Sequence, residues 1–265
     1  MAAAIVHTRR NHGSPDSMLP DPDRVTAIIR ETAEREILPR FRSLAAHEVG
    51  TKDHAGEIVT IADVEAELHL TARLTDLMPG SVAVGEEASH KTPDVLRRLG
   101  GDRPVWILDP VDGTRNFANG HDRFGVIVAL VLGDETVMGW IHDPIRDTTA
   151  IAEKGSGAME AGRRLRVAAP APLDAMRGTA GHGRTHGLKH RVAGLTRVGS
   201  VAHDYLALAR GALHFALYRR LKPWDHAAGV LLHAEAGGYS RLLAGGSYRP
   251  LPRQDSLLLA PDAAS

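Results

Sequence analysis

An apolar segment that leads directly into a carboxylate-rich turn constrains the fold of this chain more than any other part of the sequence. Residues 105–108 are apolar and predict a buried strand, and residues 109–114 then read Asp-Pro-Val-Asp-Gly-Thr. Pro110 fixes one backbone φ angle and Gly113 permits a sharp turn, so two carboxylates emerge together where the strand ends. Such oxygen ligands suit Mg²⁺, which also shares the phosphate oxygens of a substrate. The alternative is an Asp-Pro turn followed by a helix that an aspartate caps.

Helical and strand patterns alternate along the rest of the chain. Apolar residues at spacings of three and four predict a long first helix after Asp21, which Pro39 interrupts. Short apolar or alternating runs bounded by turn residues predict strands. Strands and helices interspersed in this way predict an α/β or α+β sandwich. Further helices are predicted at residues 63–78, 203–210 and 225–236, and strands at residues 57–61, 81–84, 124–132, 136–141, 148–152, 213–218 and 256–260.

Composition divides the chain into three predicted parts. Residues 1–20, which contain His, Asn, Ser and Pro after an apolar start, predict a loose N-terminal arm. Residues 21–167 predict an α+β part that carries most of the clustered acids. Residues 168–265 predict an α/β part, and the Pro- and Ala-rich stretch 168–172 is the predicted boundary.

The charge balance is neutral in total but uneven along the chain. The 265 residues include 32 Lys and Arg, 32 Asp and Glu, and no cysteine. A net charge of zero argues against a nucleic-acid or membrane-surface partner, and no apolar run is long enough to span a bilayer. The lack of cysteine fits a reducing compartment and predicts a cytoplasmic protein. Residues 1–162 carry a net charge of −9 and residues 163–222 one of +10, which favours a site between two parts.

Three further segments place carboxylates at the ends of predicted strands or the starts of predicted helices. A Gly-Glu-Glu sequence at residues 85–87 follows a strand, Asp63 begins a helix, and a Trp-Asp pair at residues 224–225 begins another. Together with residues 109–114, these segments resemble the inositol monophosphatase family of metal-dependent phosphatases. The matching motifs are Asp-Pro-Val-Asp-Gly-Thr, Gly-Glu-Glu and Trp-Asp-His-Ala-Ala-Gly, and their order agrees. The resemblance covers most of the chain from about residue 22 onward.

The resemblance implies an αβαβα layered sandwich and a phosphoric monoester hydrolase. It also implies a homodimer that Li⁺ inhibits and a site for two Mg²⁺ ions. Glu86, Asp109 and the carbonyl of Val111 match the ligands of the first ion, and Asp109, Asp112 and Asp225 match those of the second. Glu86 also matches a residue that contributes through water to a third, weaker ion.

The same resemblance implies the catalytic and substrate-binding residues. Asp63 and Thr114 match the pair that orients and deprotonates the attacking water, and Glu86 is a further catalytic residue. The main-chain N–H groups of Gly113 and Thr114 match the phosphate contacts. The metal ions would activate water and neutralise the leaving oxygen in an in-line displacement. The other predicted substrate contacts are Asp112, Ser200, Val201, Tyr218 and Asp225.

The metal-site motifs identify the substrate less directly than the reaction, because the metal ions would act on any small phosphomonoester. Inositol 1-phosphate is the leading prediction, although Tyr218 stands where inositol-selective members carry a Glu, and Val201 is larger than the family's residue. The alternatives are phosphatases of histidinol phosphate, fructose 1,6-bisphosphate or 3′-phosphoadenosine 5′-phosphate. A non-catalytic interaction protein is the alternative outside the enzyme class. Arg219, Arg220 and Lys222 suit either a solvated face or a contact with a substrate anion.

Overall fold

The computed structural model describes residues 19–52, 57–181 and 185–265. Of residues 185 and 186 it describes only the backbone. Seven α-helices occur within these ranges. Residues 1–18 of the predicted arm lie outside these ranges. The three longer helices predicted after the first one are confirmed to within a few residues. The helices are α1 (Pro22–Thr32), α2 (Ile61–Leu77), α3 (Glu86–Lys91), α4 (Thr114–Ala118), α5 (Thr185–Leu188), α6 (Val201–Ala209) and α7 (Pro223–Glu235).

The first helix changes its geometry where the sequence predicts an interruption. Asp21 caps α1 through a hydrogen bond of 2.8 Å from the N–H of Asp23, and a proline occupies the first helical position. The chain continues as a π-helical turn, Ala33–Ile37, and then as a 3₁₀ turn, Leu38–Arg40. Pro39 lies in this last turn, so the predicted interruption is confirmed.

The strands form two large sheets and one short ladder. They are β1 (Val49–Thr51), β2 (Ile58–Thr60), β3 (Val82–Gly85), β4 (Val105–Asp112), β5 (Gly125–Leu132), β6 (Glu135–Asp143), β7 (Thr148–Glu153), β8 (Gly157–Glu160), β9 (Arg163–Arg164), β10 (Arg177–Ala180), β11 (Gly194–Thr196), β12 (Phe215–Leu221), β13 (Tyr239–Leu242) and β14 (Arg253–Ala260). The seven-stranded sheet follows chain order from β3 to β9, and only its β3–β4 pair is parallel. The five-stranded sheet has the order β11-β10-β12-β14-β13, and β1 pairs with β2.

The alternation of side chains along β4 explains how the seven-stranded sheet is covered. Val105 and Ile107 belong to a buried cluster with residues of α6 and α7. Trp106 and Leu108 belong to a second cluster with residues of α1 and α2. Since helices cover both faces of the strand, all eight of its residues are buried, which accounts for the unbroken apolar run in the sequence.

The five-stranded sheet packs on the other side of α6 and α7. Ala216 and Tyr218 of β12 join the buried cluster that includes α6 and α7. Phe215 and Leu217 lie on the opposite face, where they line an apolar cavity with Leu188 at the end of α5. The layers are therefore helices, sheet, helices, sheet and a short outer helix, and the predicted αβαβα sandwich is confirmed.

Separate stretches of the chain build the two large sheets. The strands of the first lie within residues 82–164, and those of the second lie within residues 177–260. We propose that the boundary between the two parts lies at residues 168–172, which carry neither helix nor strand. Within the described ranges, no helix is both long and apolar enough to cross a membrane.

Gly229 of α7 lies so close to Tyr205 of α6 that a methyl group has no room. A Cβ atom at this position would lie 2.2 Å from Cδ2 of the Tyr205 ring, which is fully buried. We expect Gly229→Ala to lower the free energy of unfolding by about 2 kcal/mol through overpacking. This is the net loss, because alanine also stabilises the helix by about 1 kcal/mol relative to glycine. Urea denaturation measures the difference.

Gly101→Ala is the matched control, because the nearest atom to its added Cβ is the carbonyl oxygen of Arg98 at 3.5 Å. We expect this variant to stay within about 0.5 kcal/mol of the parent protein. A Gly229→Ala protein as stable as the parent would contradict the close packing of α6 on α7.

Candidate active site

Three carboxylates from three different elements meet at the end of β4. Glu86 begins α3, Asp109 lies within β4, and Asp225 lies in the first turn of α7. One oxygen of each carboxylate lies within 4.8 Å of the other two. All three line a cleft of about 320 Å³, which Val111 and Thr114 also line. The structure thus brings Asp225 next to two residues that lie more than 100 positions before it in the sequence.

Burial and mutual repulsion raise the pKa values of two of these carboxyl groups, those of Asp109 and Asp225. Burial is the largest cause of the raised pKa of Asp109, followed by the charges of Glu86 and Asp112. Burial and then Glu86 raise the pKa of Asp225, and Lys222 opposes them. Oδ1 of Asp109 is buried and has no hydrogen-bond partner among the described residues. A cluster of hard oxygen donors with an unpartnered atom fits a divalent cation.

Two lysines balance part of this negative charge. Nζ of Lys52 lies 2.8 Å from Glu86 and 2.5 Å from Glu87, and its side chain is only 3% exposed. Nζ of Lys222 lies 3.3 Å from Glu57 and 3.9 Å from Glu86. Burial lowers the pKa of Lys52, but the two glutamates together outweigh burial and raise it. Both lysines therefore remain charged beside the acidic cluster.

Asp63 and Thr114 form a hydrogen-bonded pair at the cleft. Oγ1 of Thr114 donates to Oδ1 of Asp63 at 3.0 Å and also lies 3.0 Å from the carbonyl oxygen of Val111. The N–H and hydroxyl groups of Thr60, at the start of α2, donate to Oδ2 of Asp63 at 2.8 and 2.6 Å. Burial raises the pKa of Asp63 to about 7, although Thr60 opposes the shift. A fixed carboxyl group that titrates near neutral pH is suited to moving a proton.

Asp112 lines the cleft but directs its carboxylate to the start of α6. Ser200 caps α6, and its hydroxyl donates to Asp112. The N–H groups of Val201 and Ala202 donate to the same carboxylate at 3.2 and 2.8 Å. Burial raises the pKa of Asp112 to about 6, against these hydrogen bonds. Ser200 and Val201, both predicted substrate contacts, thus lie against a predicted metal ligand.

The turn after β4 requires glycine at position 113. Gly113 has a φ angle of +89°, and an added Cβ would lie 2.9 Å from the carbonyl oxygen of Arg123. This residue is the N-cap of α4, so the alternative of a helix capped by an aspartate is wrong. β4 is also longer than predicted, because its pairing with β5 resumes at Asp112 after an irregularity.

Tyr218 is not among the residues that line the acidic cleft, although the sequence predicts a substrate contact there. Its hydroxyl donates to Asp204 at 3.3 Å, and its side chain is 7% exposed. Its ring packs on those of Tyr205 and His226, with centroids 5.6 and 4.9 Å apart. The predicted contact therefore has no support from the geometry of the cleft.

Glu67 positions the start of α3, a role that the sequence analysis missed. Its carboxylate accepts hydrogen bonds from the N–H groups of Glu87 and Ala88 at 2.8 and 2.7 Å. Gly85 is needed next to it, because an added Cβ would lie 2.1 Å from the Glu67 carboxyl carbon. The signal in the sequence is the spacing of four from Asp63, which places both acids on one face of α2.

The acidic cleft in a layered αβαβα sandwich is typical of a class of metal-dependent phosphatases. The sequence profile described as the inositol monophosphatase family matches residues 21–264, and the chain belongs to that family. It is a phosphatase of the phosphoric monoester hydrolase class, as the family resemblance predicts.

Curated relatives cover about seven tenths of the chain. A protein of Caulobacter vibrioides called inositol-1-monophosphatase is 37% identical over 203 residues, which cover 71% of this chain and 77% of that protein. A protein of Thermotoga maritima called fructose-1,6-bisphosphatase/inositol-1-monophosphatase is 33% identical over 188 residues, which cover 69% of this chain and 70% of that protein.

Solved structures show the same fold. An IMPase structure from Thermotoga maritima has a TM-score of 0.78 and 26% sequence identity, and the match covers 90% of this chain and 91% of that one. The structure of the extragenic suppressor protein suhB from Bartonella henselae has a TM-score of 0.73 and 28% identity, with 89% and 93% of the two chains covered.

We expect Glu67→Gln to weaken the binding of a divalent cation by about tenfold, because the residue positions the segment that carries Glu86. Isothermal titration calorimetry with Mg²⁺ measures the affinity. Glu65→Gln is the matched control, since it makes the same change on the same helix at a side chain that is only half-buried. Equal Mg²⁺ affinities for the two variants would contradict the positioning role.

We also expect Mg²⁺ to raise the melting temperature more near pH 8 than near pH 5. The pKa values of Asp63 and Asp112 are raised to about 7 and about 6, and those of Asp109 and Asp225 are also raised. A carboxyl group with a raised pKa stabilises the fold below its unfolded pKa of about 4, and this contribution is lost as the pH rises through its folded pKa. The bound cation offsets that loss. The rise in melting temperature caused by Mg²⁺ is therefore expected to be roughly 5 °C larger near pH 8 than near pH 5.

Four buried histidines act in the opposite direction on stability alone, and one of them is His203, whose pKa burial lowers. Burial lowers the pKa values of His142, His226 and His233 to about 4, 3 and 4. Their protonation destabilises the fold as the pH falls below about 6.5. This effect is the same with and without a metal ion, so it cancels in the difference between the melting temperatures with and without Mg²⁺. Differential scanning calorimetry that finds an equal Mg²⁺ effect at both pH values would contradict the prediction.

Proposed function

We propose that the protein is a Mg²⁺-dependent phosphomonoesterase that hydrolyses a small phosphorylated polyol, with inositol 1-phosphate as the leading substrate. The observation that carries the proposal is the hydrogen-bonded pair of Asp63 and Thr114 beside Glu86, Asp109 and Asp225. The relatives called inositol-1-monophosphatase support this substrate class. A sugar bisphosphate is the alternative substrate, because one relative is called fructose-1,6-bisphosphatase/inositol-1-monophosphatase.

The predicted ligands fit two Mg²⁺ ions, and Glu86 would contribute through water to a third, weaker one. Asp109 offers an unpartnered oxygen, and the carbonyl of Val111 belongs to the same cleft. The oxygens of Asp112 accept hydrogen bonds from α6, but a carboxylate has about four lone-pair sites and keeps one for a cation. Bound Mg²⁺ supplies Lewis-acid activation of water and neutralises the charge of the phosphate group.

The chain itself supplies the route for the proton. Thr114 lines the cleft, and its Oγ1 would take a proton from the attacking water as its own proton passes to Oδ1 of Asp63, while Thr60 fixes the other oxygen of that carboxylate. With a pKa near 7, Asp63 accepts this proton at neutral pH and later releases it to solvent. The N–H groups of Gly113 and Thr114 are the proposed phosphate contacts, and Glu86 is a further proposed catalytic residue.

We further propose that the enzyme is a homodimer that Li⁺ inhibits by competing for a Mg²⁺ position, as the family resemblance implies. It acts in the cytoplasm on a small phosphomonoester and has no nucleic-acid or membrane partner. The neutral total charge and the absence of cysteine support this part of the proposal.

We expect Asp63→Asn to lower the kcat for Mg²⁺-dependent hydrolysis of inositol 1-phosphate by about 1,000-fold, because the variant loses the proton acceptor. Release of inorganic phosphate measures the rate. Asp76→Asn is the matched control, since Asp76 is an exposed residue of the same helix. Equal rates for both variants would contradict the role of Asp63.

A panel of esters tests the substrate class. We expect inositol 1-phosphate to be hydrolysed with a higher kcat/KM than histidinol phosphate and 3′-phosphoadenosine 5′-phosphate. Asp109→Asn and Asp225→Asn are expected to abolish the release of phosphate from every ester. A parent protein that releases no phosphate from any ester with Mg²⁺ would contradict the proposal and favour a non-catalytic interaction protein.

A further inference from the structure

The buried side chain of Tyr205 joins α6 to the first turn of α7. Its hydroxyl and Nδ1 of His226 share a hydrogen bond of 2.9 Å. Tyr205 is fully buried and His226 is 2% exposed, so the bond is shielded from water. Because His226 directly follows Asp225, this bond fixes the backbone next to a proposed metal ligand. Neither residue of the pair has a part in the catalytic steps proposed above.

The ring of Tyr205 holds the same helix at a second point. It packs against Gly229, where an added Cβ atom would lie 2.2 Å from Cδ2 of the ring. Residues four positions apart lie on one face of a helix, so Gly229 shares a face of α7 with Asp225. One side chain of α6 therefore fixes α7 beside its metal ligand and again one turn further along the helix.

The first turn of α7 needs such a contact from another element. Its N-cap residue is Lys222. A lysine side chain carries no hydrogen-bond acceptor, so Lys222 cannot cap the free N–H groups at the start of the helix. The position of Asp225 in this turn therefore depends on what packs against α7 from outside.

Three tyrosine rings surround His226, and they differ in what their hydroxyl groups bind. The rings of Tyr218 and Tyr248 lie with centroids 4.9 and 6.4 Å from that of His226. The hydroxyl of Tyr218 donates to Asp204, and that of Tyr248 is buried without a hydrogen-bond partner among the described residues. Of the three hydroxyl groups, that of Tyr205 is the one bonded to α7.

The same helix α6 also holds Asp112, which the second proposed Mg²⁺ ion shares with Asp225. The N–H group of Ala202 donates to the carboxylate of Asp112 at 2.8 Å, and Tyr205 lies less than one turn further along α6. Two ligands of one ion thus take their relative position from one buried helix. Mg²⁺ requires near-ideal octahedral geometry at short distances, so a small displacement of one ligand weakens its binding.

We propose that Tyr205 is a positioning residue that sets the affinity for the second Mg²⁺ ion. Through His226 it fixes Asp225 at the distance from Asp112 that the ion requires, as residues behind the ligands of a metal site do. The first ion is affected little, because its other ligands lie on α3 and β4. This inference rests on the proposed phosphatase function and adds to it a residue that acts only through α7.

Isothermal titration calorimetry of the metal-free protein with Mg²⁺ tests the positioning role. We expect Tyr205→Phe, which keeps the ring against Gly229, to weaken the binding of one Mg²⁺ ion about tenfold and to leave the other unchanged. Tyr248→Phe is the matched control, because it removes a buried, unpartnered hydroxyl group beside the same histidine. This control is expected to keep the parent affinity for both ions.

Two further measurements separate positioning from a purely structural contribution. In Tyr205→Phe, the Mg²⁺ concentration for half-maximal hydrolysis of inositol 1-phosphate is expected to rise about tenfold, while kcat at saturating Mg²⁺ stays within about twofold of the parent value. In a double-mutant cycle with His226→Phe, the double variant is expected to lose no more Mg²⁺ affinity than either single variant, because both changes remove the same hydrogen bond.

Weaker binding of one ion in Tyr205→Phe but not in Tyr248→Phe, with no further loss in the double variant, supports the positioning role. A lower melting temperature of metal-free Tyr205→Phe with both Mg²⁺ affinities kept overturns it and leaves the hydrogen bond a structural one. Equal weakening in Tyr248→Phe, additive losses in the cycle, or a parent protein that binds fewer than two Mg²⁺ ions also overturns it. A parent protein that binds two ions but releases no phosphate from any ester contradicts the proposed function, and calorimetry then decides on Tyr205 alone.

Discussion

Repulsion between the clustered carboxylates at the end of β4, of which Asp109 is buried, is the constraint on which the rest of the site depends. Asp109 is fixed within the strand, with one oxygen buried and unpartnered. Glu86 and Asp225 approach it from α3 and α7, so an ionised cluster is tolerated only with positive charge nearby. Lys52 and Lys222 provide part of that charge. The proposed cation would provide the rest and would tie α7 to the seven-stranded sheet.

The layered sandwich gives each group of the site a separate support. The seven-stranded sheet holds Asp109 rigidly, because helices cover both of its faces. The start of α2 holds Asp63 through Thr60, so the proposed proton acceptor does not depend on a loop. The start of α6 holds Asp112, which makes the cleft sensitive to the position of the second part of the chain. Rigid elements of this kind are what precise catalytic geometry requires.

The sequence alone predicts those features that depend on local patterns. The apolar run before Asp109 predicts the start of β4, although the strand continues to Asp112, and the glycine at position 113 predicts the turn that follows. The spacing of apolar residues predicts the long helices. The positions of Glu67 and Tyr218 depend instead on partners from distant elements, the N–H groups of α3 and the carboxylate of Asp204. The register shift in β12 also depends on its pairing with β14. Local patterns cannot predict contacts of this kind.

X-ray diffraction from crystals grown with Mn²⁺ shows whether the clustered carboxylates bind a divalent cation, because the anomalous signal of the metal locates it. We expect a Mn²⁺ peak in contact with oxygens of Glu86, Asp109 and Asp225. The peak should disappear in crystals of Asp109→Asn, whose amide leaves the cluster with less negative charge. Mn²⁺ bound elsewhere on the protein, with no peak at these three carboxylates, would show that they do not form the metal site.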